Sequence, residues 1–177
     1  MIGIFAMILY YLLLRFIWRY IFGLVHIGTF DELQLYDKST NKTIITASLY
    51  FSKFNADLML ENLKARMLRY KTLRSKFVKL FDQYYMKEMS DEEIENGIET
   101  SFMRVERDWT GKLIKEEADL TRFLEREVTI PFKEGGMFFK IFVVENYNDK
   151  ESVLLFKCHH ALADGMALMG LVTALQD

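Results

Sequence analysis

The stretch that decides the fold is Ser152-Val153-Leu154-Leu155-Phe156-Lys157-Cys158-His159-His160-Ala161-Leu162-Ala163-Asp164-Gly165. Its first seven residues are almost wholly apolar and read as a β-strand buried on both faces. Met137 to Val144 reads the same way, and the polar run Glu145 to Glu151 between the two suits a hairpin loop. Two histidines end the second strand, and Asp164 and Gly165 follow four and five residues after His160. Adjacent side chains on a strand point to opposite faces, so His159 and His160 cannot both aim at one point unless the backbone turns. One imidazole is expected to face a site while the other packs behind it. Asp164 is placed to cap the helix read over Asp164 to Leu175 and to fix the loop by a charge-assisted hydrogen bond. Gly165 permits close backbone approach or an unusual φ.

Upstream, Thr29-Phe30-Asp31-Glu32 has capping-box spacing and predicts a short helical turn. Thr43 to Phe51 reads as a strand. Asn55 then caps a helix to about Tyr70, with Ala56, Met59, Leu60, Leu63, Met67 and Tyr70 as its apolar stripe. Arg66 to Lys79 is a basic stretch, either a solvated face or a surface for lipid headgroups or CoA phosphates. Ile98 to Val105 is expected to be a strand. Glu116 to Val128 is expected to be a helix with Leu120, Phe123, Leu124 and Val128 inward, with Pro131 closing that neighbourhood. Strands and helices mix without strict alternation, which predicts an α/β fold with a mixed sheet and flanking helices.

The N-terminus differs in kind. Met1 to Leu14 carries no charged side chain, Arg15 and Arg19 follow, and apolar residues resume through Val25. The run to Val25 is long enough for a bilayer helix if the arginines sit at an interface, where they share one helix face and snorkel beside Trp18 and Tyr20. A cleaved signal peptide lacks its basic leading region here, and a helix buried in a larger assembly is the other alternative. The expectation is a membrane-anchor helix over residues 1–28, single-pass or embedded, followed by a domain over 29–177. Basic residues follow the apolar run and none precedes it, which places the domain on the cytosolic side of a membrane, expected to be the endoplasmic reticulum.

Composition narrows the chemistry. A net charge of −2 gives no reason to expect a nucleic-acid partner. One cysteine, Cys158, excludes a disulfide within the chain and any Cys-based metal site. Cys158 lies inside an apolar strand, where a small core residue is the reading rather than a nucleophile. His160 and Asp164 could share a helix face around a metal, but no third ligand is near, so no metal is expected. An imidazole has an unperturbed pKa of about 6.5 and suits general-base work on an alcohol, whose proton must leave as the oxygen attacks. A paired core histidine without chemistry is the alternative.

The run HHALADG resembles the HHxxxDG motif of CoA-dependent acyltransferases with the chloramphenicol-acetyltransferase-like fold. Phe30 to Asp37, the Thr43–Tyr70 strand and helix, Leu73 to Val78, and the motif with its following helix resemble, in that order, the wax ester synthase/diacylglycerol acyltransferase family. The resemblance covers about Phe30 to Leu175. It implies the first subdomain of that fold and transfer of a fatty acyl group from acyl-CoA to a fatty alcohol or diacylglycerol. It implies His160 as general base, Asp164 as mainly structural, and His159 and Gly165 as the other motif residues. No covalent enzyme intermediate is implied. Acyl-CoA is co-substrate and no cofactor is expected; the motif identifies no cofactor-binding residues. The family's Pro-Leu-Trp-like element is absent, its place taken by Gly135 to Lys140. Family members are much longer and set the histidine between two related subdomains, so a second subdomain or a partner chain is expected to complete the site. A non-catalytic membrane-anchored interaction protein built on half of the fold is the alternative. His159 and Asp164 also fit the HxxxxD spacing of glycerolipid acyltransferases, without those enzymes' later Glu-Gly-Thr-Arg segment. Condensation domains of peptide synthetases share HHxxxDG, but the N-terminal anchor argues against them.

Overall fold

The computed structural model describes residues 2–36, 43–81 and 83–162. Helix α1 (Ile2–Tyr20) opens the chain, followed by β1 (Leu24–His26) and α2 (Thr29–Leu35). Strand β2 (Ile44–Ser52), helix α3 (Ala56–Met67) and the hairpin β3 (Ser75–Leu80) and β4 (Gln83–Glu88) come next. Then follow α4 (Asp91–Ser101), β5 (Phe102–Arg104), α5 (Glu117–Glu127), β6 (Phe139–Val144) and β7 (Glu151–His159). The fold is α/β, with flanking helices and the expected N-terminal helix.

Two sheets form. The larger has the order β2-β7-β6-β5 and is mixed: β2 and β6 run antiparallel to β7, while β5 runs parallel to β6. A parallel pair needs a crossover, and the segment carrying α5 supplies it. The smaller sheet, β1-β4-β3, is antiparallel throughout. It was not evident in the sequence, because Lys76, Lys79 and Lys87 hide the alternation of its strands.

Strands β6 and β7 are buried on both faces, as their apolarity predicts. Phe139, Ile141, Val143, Leu154, Phe156 and Cys158 enter one core with Ala56, Leu63 and Met67 of α3, Ile94 of α4 and Phe77 of β3. Phe142, Val144, Val153 and Leu155 enter a second core with Leu120 and Phe123 of α5. Each such fully buried aliphatic or aromatic side chain contributes about 1.5–3 kcal/mol over its exposed state.

The local signals explain most boundaries. Asn55 caps α3 by accepting from the N–H groups of Asp57 and Leu58. Helix α3 ends at Met67 rather than near Tyr70, and Tyr70 is exposed. The strand expected over Ile98 to Val105 is corrected: Ile98 belongs to α4, whose start is a full capping box between Ser90 and Glu93, and the strand after it holds only Phe102–Arg104. The short helix expected at Thr29 forms as α2, with Gly28 rather than Thr29 as its N-cap, and the Glu32 carboxylate accepts from the Tyr84 N–H, 3.0 Å away. The helix read over Asp164 to Leu175 lies outside the described residues.

Candidate active site

The His159-His160 pair sits where β7 leaves the sheet. The His159 N–H donates to the Phe138 carbonyl at 2.9 Å, and the His160 N–H donates to the Thr43 carbonyl at 2.7 Å. These bonds tie the backbone at the pair to the neighbouring chain on both sides. The chain then turns, with the Leu162 N–H donating to the His159 carbonyl at 3.0 Å.

This geometry separates the two imidazoles. His159 is 2% exposed, with its ring edge-on to Phe138 at 5.5 Å and to Phe132 at 6.4 Å. Its Nδ1 accepts from the Ala161 N–H at 3.2 Å. An Nδ1 that accepts leaves the proton of the neutral ring on Nε2, so the bond fixes one tautomer. His160 lies beyond the strand end, half-buried. Its Nδ1 is shielded from solvent and has no hydrogen-bond partner among the described residues. A buried polar nitrogen without a partner is uncommon. Of the remaining candidates, Asp164 and Gly165 lie outside the described residues.

A residue that the sequence reading passed over supports His159 from below. Lys157 shares the His159 face of β7 and has no solvent exposure. Its ammonium donates to the carbonyls of Glu127 and Ile130, at the end of α5, and pairs with the Glu127 carboxylate. It also lies 5.0 Å from the centre of the Phe132 ring, which covers His159. The available signal was its position, a single charge inside the run Ser152 to Cys158.

Cys158 is wholly buried, and burial pushes its thiol up to about 12. A thiol held protonated inside the core is no nucleophile. Among the described residues no cluster of three or more His, Cys, Asp or Glu could hold a metal. A cavity of about 270 Å³ abuts the turn, walled by Val25, Ile27, Phe77, Met86, Ala161 and Leu162. His26 and Thr72 also line it; the rest of the wall is apolar and suits a hydrocarbon chain. A larger cavity, about 590 Å³, lies away from the histidines, against α1.

The basic stretch is partly neutralised. Lys71 and Arg74 both pair with Glu88, and Lys76 pairs with Glu93. Helix α1 is long and apolar enough to cross a membrane, and none of its Gly3–Tyr20 window is buried in the protein.

No family model and no curated protein sequence matches the chain. Solved structures do. The tallysomycin biosynthesis protein TlmII superposes with a TM-score of 0.67 at 18% identity, over 87% of this chain and 38% of that one. The wax ester synthase/diacylglycerol acyltransferase from Marinobacter aquaeolei VT8 superposes with a TM-score of 0.65 at 17% identity, over 84% of this chain and 36% of that one. A starter condensation domain of rhizomide synthetase in complex with C8-CoA gives 0.65 at 14% identity, over 86% and 34%. The fold is therefore that of condensation domains and CoA-dependent acyltransferases. At these identities the likeness is one of fold, and it does not choose between the two groups. The chain spans little more than a third of the length of these proteins.

Proposed function

We propose that this chain is the first subdomain, preceded by its anchor, of a membrane-bound O-acyltransferase that moves a fatty acyl group from acyl-CoA to a fatty alcohol or diacylglycerol. The observation that carries the reading is the division of labour at the end of β7. His159 is buried and hydrogen-bonded, while His160 stands past the strand with a ring nitrogen that has no partner among the described residues. His160 is the general base. It takes the hydroxyl proton of the acceptor as that oxygen attacks the thioester carbonyl carbon. The tetrahedral adduct collapses, the C–S bond breaks, and the departing thiolate of CoA takes the proton back from the imidazolium. The products are an ester and free CoA, with no covalent enzyme intermediate. A positioned base of this kind contributes about 10²–10⁴ in rate. The motif resemblance gives Asp164 a mainly structural part and makes Gly165 its neighbour in the motif. The apolar cavity beside Ala161 and Leu162 favours a long hydrocarbon over a small polar acceptor, and the anchor α1 favours a lipid acceptor drawn from the bilayer.

The test is release of CoA from fatty acyl-CoA, with a long-chain alcohol or diacylglycerol, by the protein completed with its second subdomain or partner chain, in vesicles. Ester formation that depends on His160 is expected. Acyl-CoA binding without CoA release by the wild-type protein would favour the non-catalytic interaction protein instead.

A further inference from the structure

A cavity larger than the one beside the His159-His160 turn lies elsewhere in the described protein. It holds about 590 Å³ and lies where the end of α1 leans over the sheet β1-β4-β3. The pairings Leu24↔Lys87 and His26↔Tyr85 put these four residues on the sheet face turned to α1. Trp18 closes the cavity from the helix side, 6.2 Å from the Tyr85 ring and 6.1 Å from that of Phe81. Arg15 and Arg19 line it on the same stretch of helix. A second cavity of about 270 Å³ shares Arg19 and Val25 with the first and adds Lys71, Lys87 and Glu88.

The charges at this junction do not balance. Among the described residues lining the two cavities, four are cations, Arg15, Arg19, Lys71 and Lys87, and one is a carboxylate, Glu88, which Lys71 engages at 3.3 Å together with Arg74; Glu93 acts on Lys87 and Glu32 on Tyr85 from outside the linings. Arg15 lies over the Tyr11 ring and Arg19 over that of Tyr20. Among the described residues neither arginine nor Lys87 has a carboxylate partner. The walls between these cations are apolar: Leu12, Leu14, Phe16, Trp18 and Leu24. Cations set beside apolar walls suit an amphiphile with an anionic head. Guanidinium groups bind phosphate oxygens two at a time. The exposed surface of Leu12, Leu13 and Phe16 on α1 continues the apolar wall outward, where acyl chains can lie.

The geometry points to a binding site for the phosphate headgroup of an anionic phospholipid at the junction of α1 and β1, with Arg15, Arg19 and Lys87 on the phosphate and Trp18 against the glycerol and first acyl carbons. This rests on α1 lying in the bilayer. The occupant is a membrane lipid rather than free phosphate, because a free anion would leave the aromatic and aliphatic walls uncovered. Bound there, the lipid fixes how the domain sits on the membrane. Strand β1 then carries this site on one side and, through Val25 and His26, the cavity beside the histidine turn on the other.

Trp18 is the natural probe. The other tryptophan, Trp109, is exposed under Arg126 and can be replaced by Phe. The full chain carrying Trp109→Phe is placed in phosphatidylcholine nanodiscs that contain, at equal mole fraction, phosphatidylglycerol or phosphatidylcholine with brominated chains. Trp18 fluorescence should be quenched by both, and the anionic lipid should be enriched at the site by about fivefold, the size that one Lys or Arg near an anionic surface supplies. Arg15→Gln with Arg19→Gln, or Lys87→Gln, should reduce that preference while leaving quenching by brominated phosphatidylcholine as in the parent. Equal quenching by the two lipids in the parent, or a preference unchanged in the variants, overturns the site and leaves the anchor standing. No quenching by either lipid overturns the bilayer placement of α1 and the site with it.

Discussion

Lys157 Nζ donates to the main-chain oxygen of Ile130 across 2.8 Å, from a position on β7 with no solvent exposure. The same ammonium bonds the Glu127 carbonyl at the end of α5, where the helix dipole favours a cation, so a strand in the middle of the sheet caps the helix on its face and the chain just beyond it. Because Lys157 and His159 lie on the same face and Phe132 touches both, the lysine also fixes the cover over the buried histidine.

Lys157→Met keeps the volume but leaves the Ile130 carbonyl without the Lys157 donor, the Glu127 carbonyl with the Ile130 N–H alone, and the Glu127 carboxylate without its partner. Loss of one side of a buried charged pair with an unsatisfied carbonyl costs about 2–4 kcal/mol. Urea unfolding should show a midpoint lowered by that amount with an unchanged slope. A midpoint equal to that of the wild type would mean that the ammonium contributes nothing net.

Asp108 accepts from the Thr110 hydroxyl and N–H, the Lys112 N–H and the Arg122 guanidinium. The Thr110 hydroxyl first, and then Arg122, hold its carboxyl down to about 2 against the cost of burial. The folded pKa is depressed below the roughly 3.9 of an unfolded Asp. Its stabilisation is therefore complete above about pH 4 and is lost as pH falls toward 2. Asp108→Asn should flatten the acid side of the stability profile between pH 4 and 2 while lowering stability at neutral pH. Parallel acid limbs for variant and wild type would rule Asp108 out as a source of that slope.

Cys158 should be silent toward thiol reagents. Its side chain is wholly buried and its thiol stands near 12. At pH 8 an aromatic disulfide reagent should label no thiol in the folded protein and one after denaturation. Fast labelling of the folded protein would reopen Cys158 as a reactive group.

How much the sequence disclosed follows from where side chains dominate. Strands β6 and β7 were legible because both faces are buried and little interrupts their apolarity. Helix α3 was legible through the Asn55 cap and its stripe. The β3–β4 hairpin was not. Its turn passes through Phe81, a bulky residue at φ 48°, with no glycine or Asn-Gly signal to mark it. Its strands carry the lysines that made the region read as a basic surface. Helix α4 was readable in principle from Ser90 and Glu93, but Ile94 and Ile98 give it a thin apolar face around Gly97. At the site, strand alternation predicted that the two imidazoles part; β7 ends at His159, which is buried, and His160 lies past it in the turn, half-buried. The partners that hold them there, Thr43, Phe132, Phe138 and Lys157, come from distant segments and leave no local pattern.

The histidine pair gives the sharpest separation of structure from chemistry. His159→Ala empties a buried position beside Phe132 and Phe138 and removes the acceptor for the Ala161 N–H. It should lower stability by about 1–3 kcal/mol, the cost of leaving a buried donor unpaired, and reduce turnover only as far as the turn loosens. His160→Ala removes a half-buried ring whose Nδ1 has no partner among the described residues. It should leave the unfolding midpoint nearly unchanged and reduce turnover of acyl-CoA by about a hundredfold or more. If Asp164 caps the helix that the sequence predicts after it, Asp164→Ala should cost activity together with about 1 kcal/mol of stability, whereas Asp164→Asn should keep most of that stability and lose the charge. Midpoints from urea titration and CoA release by the same preparations decide the assignment. A folded His160→Ala protein with wild-type turnover would remove His160 as the base, and a His159→Ala protein that is fully stable but inactive would exchange the two roles.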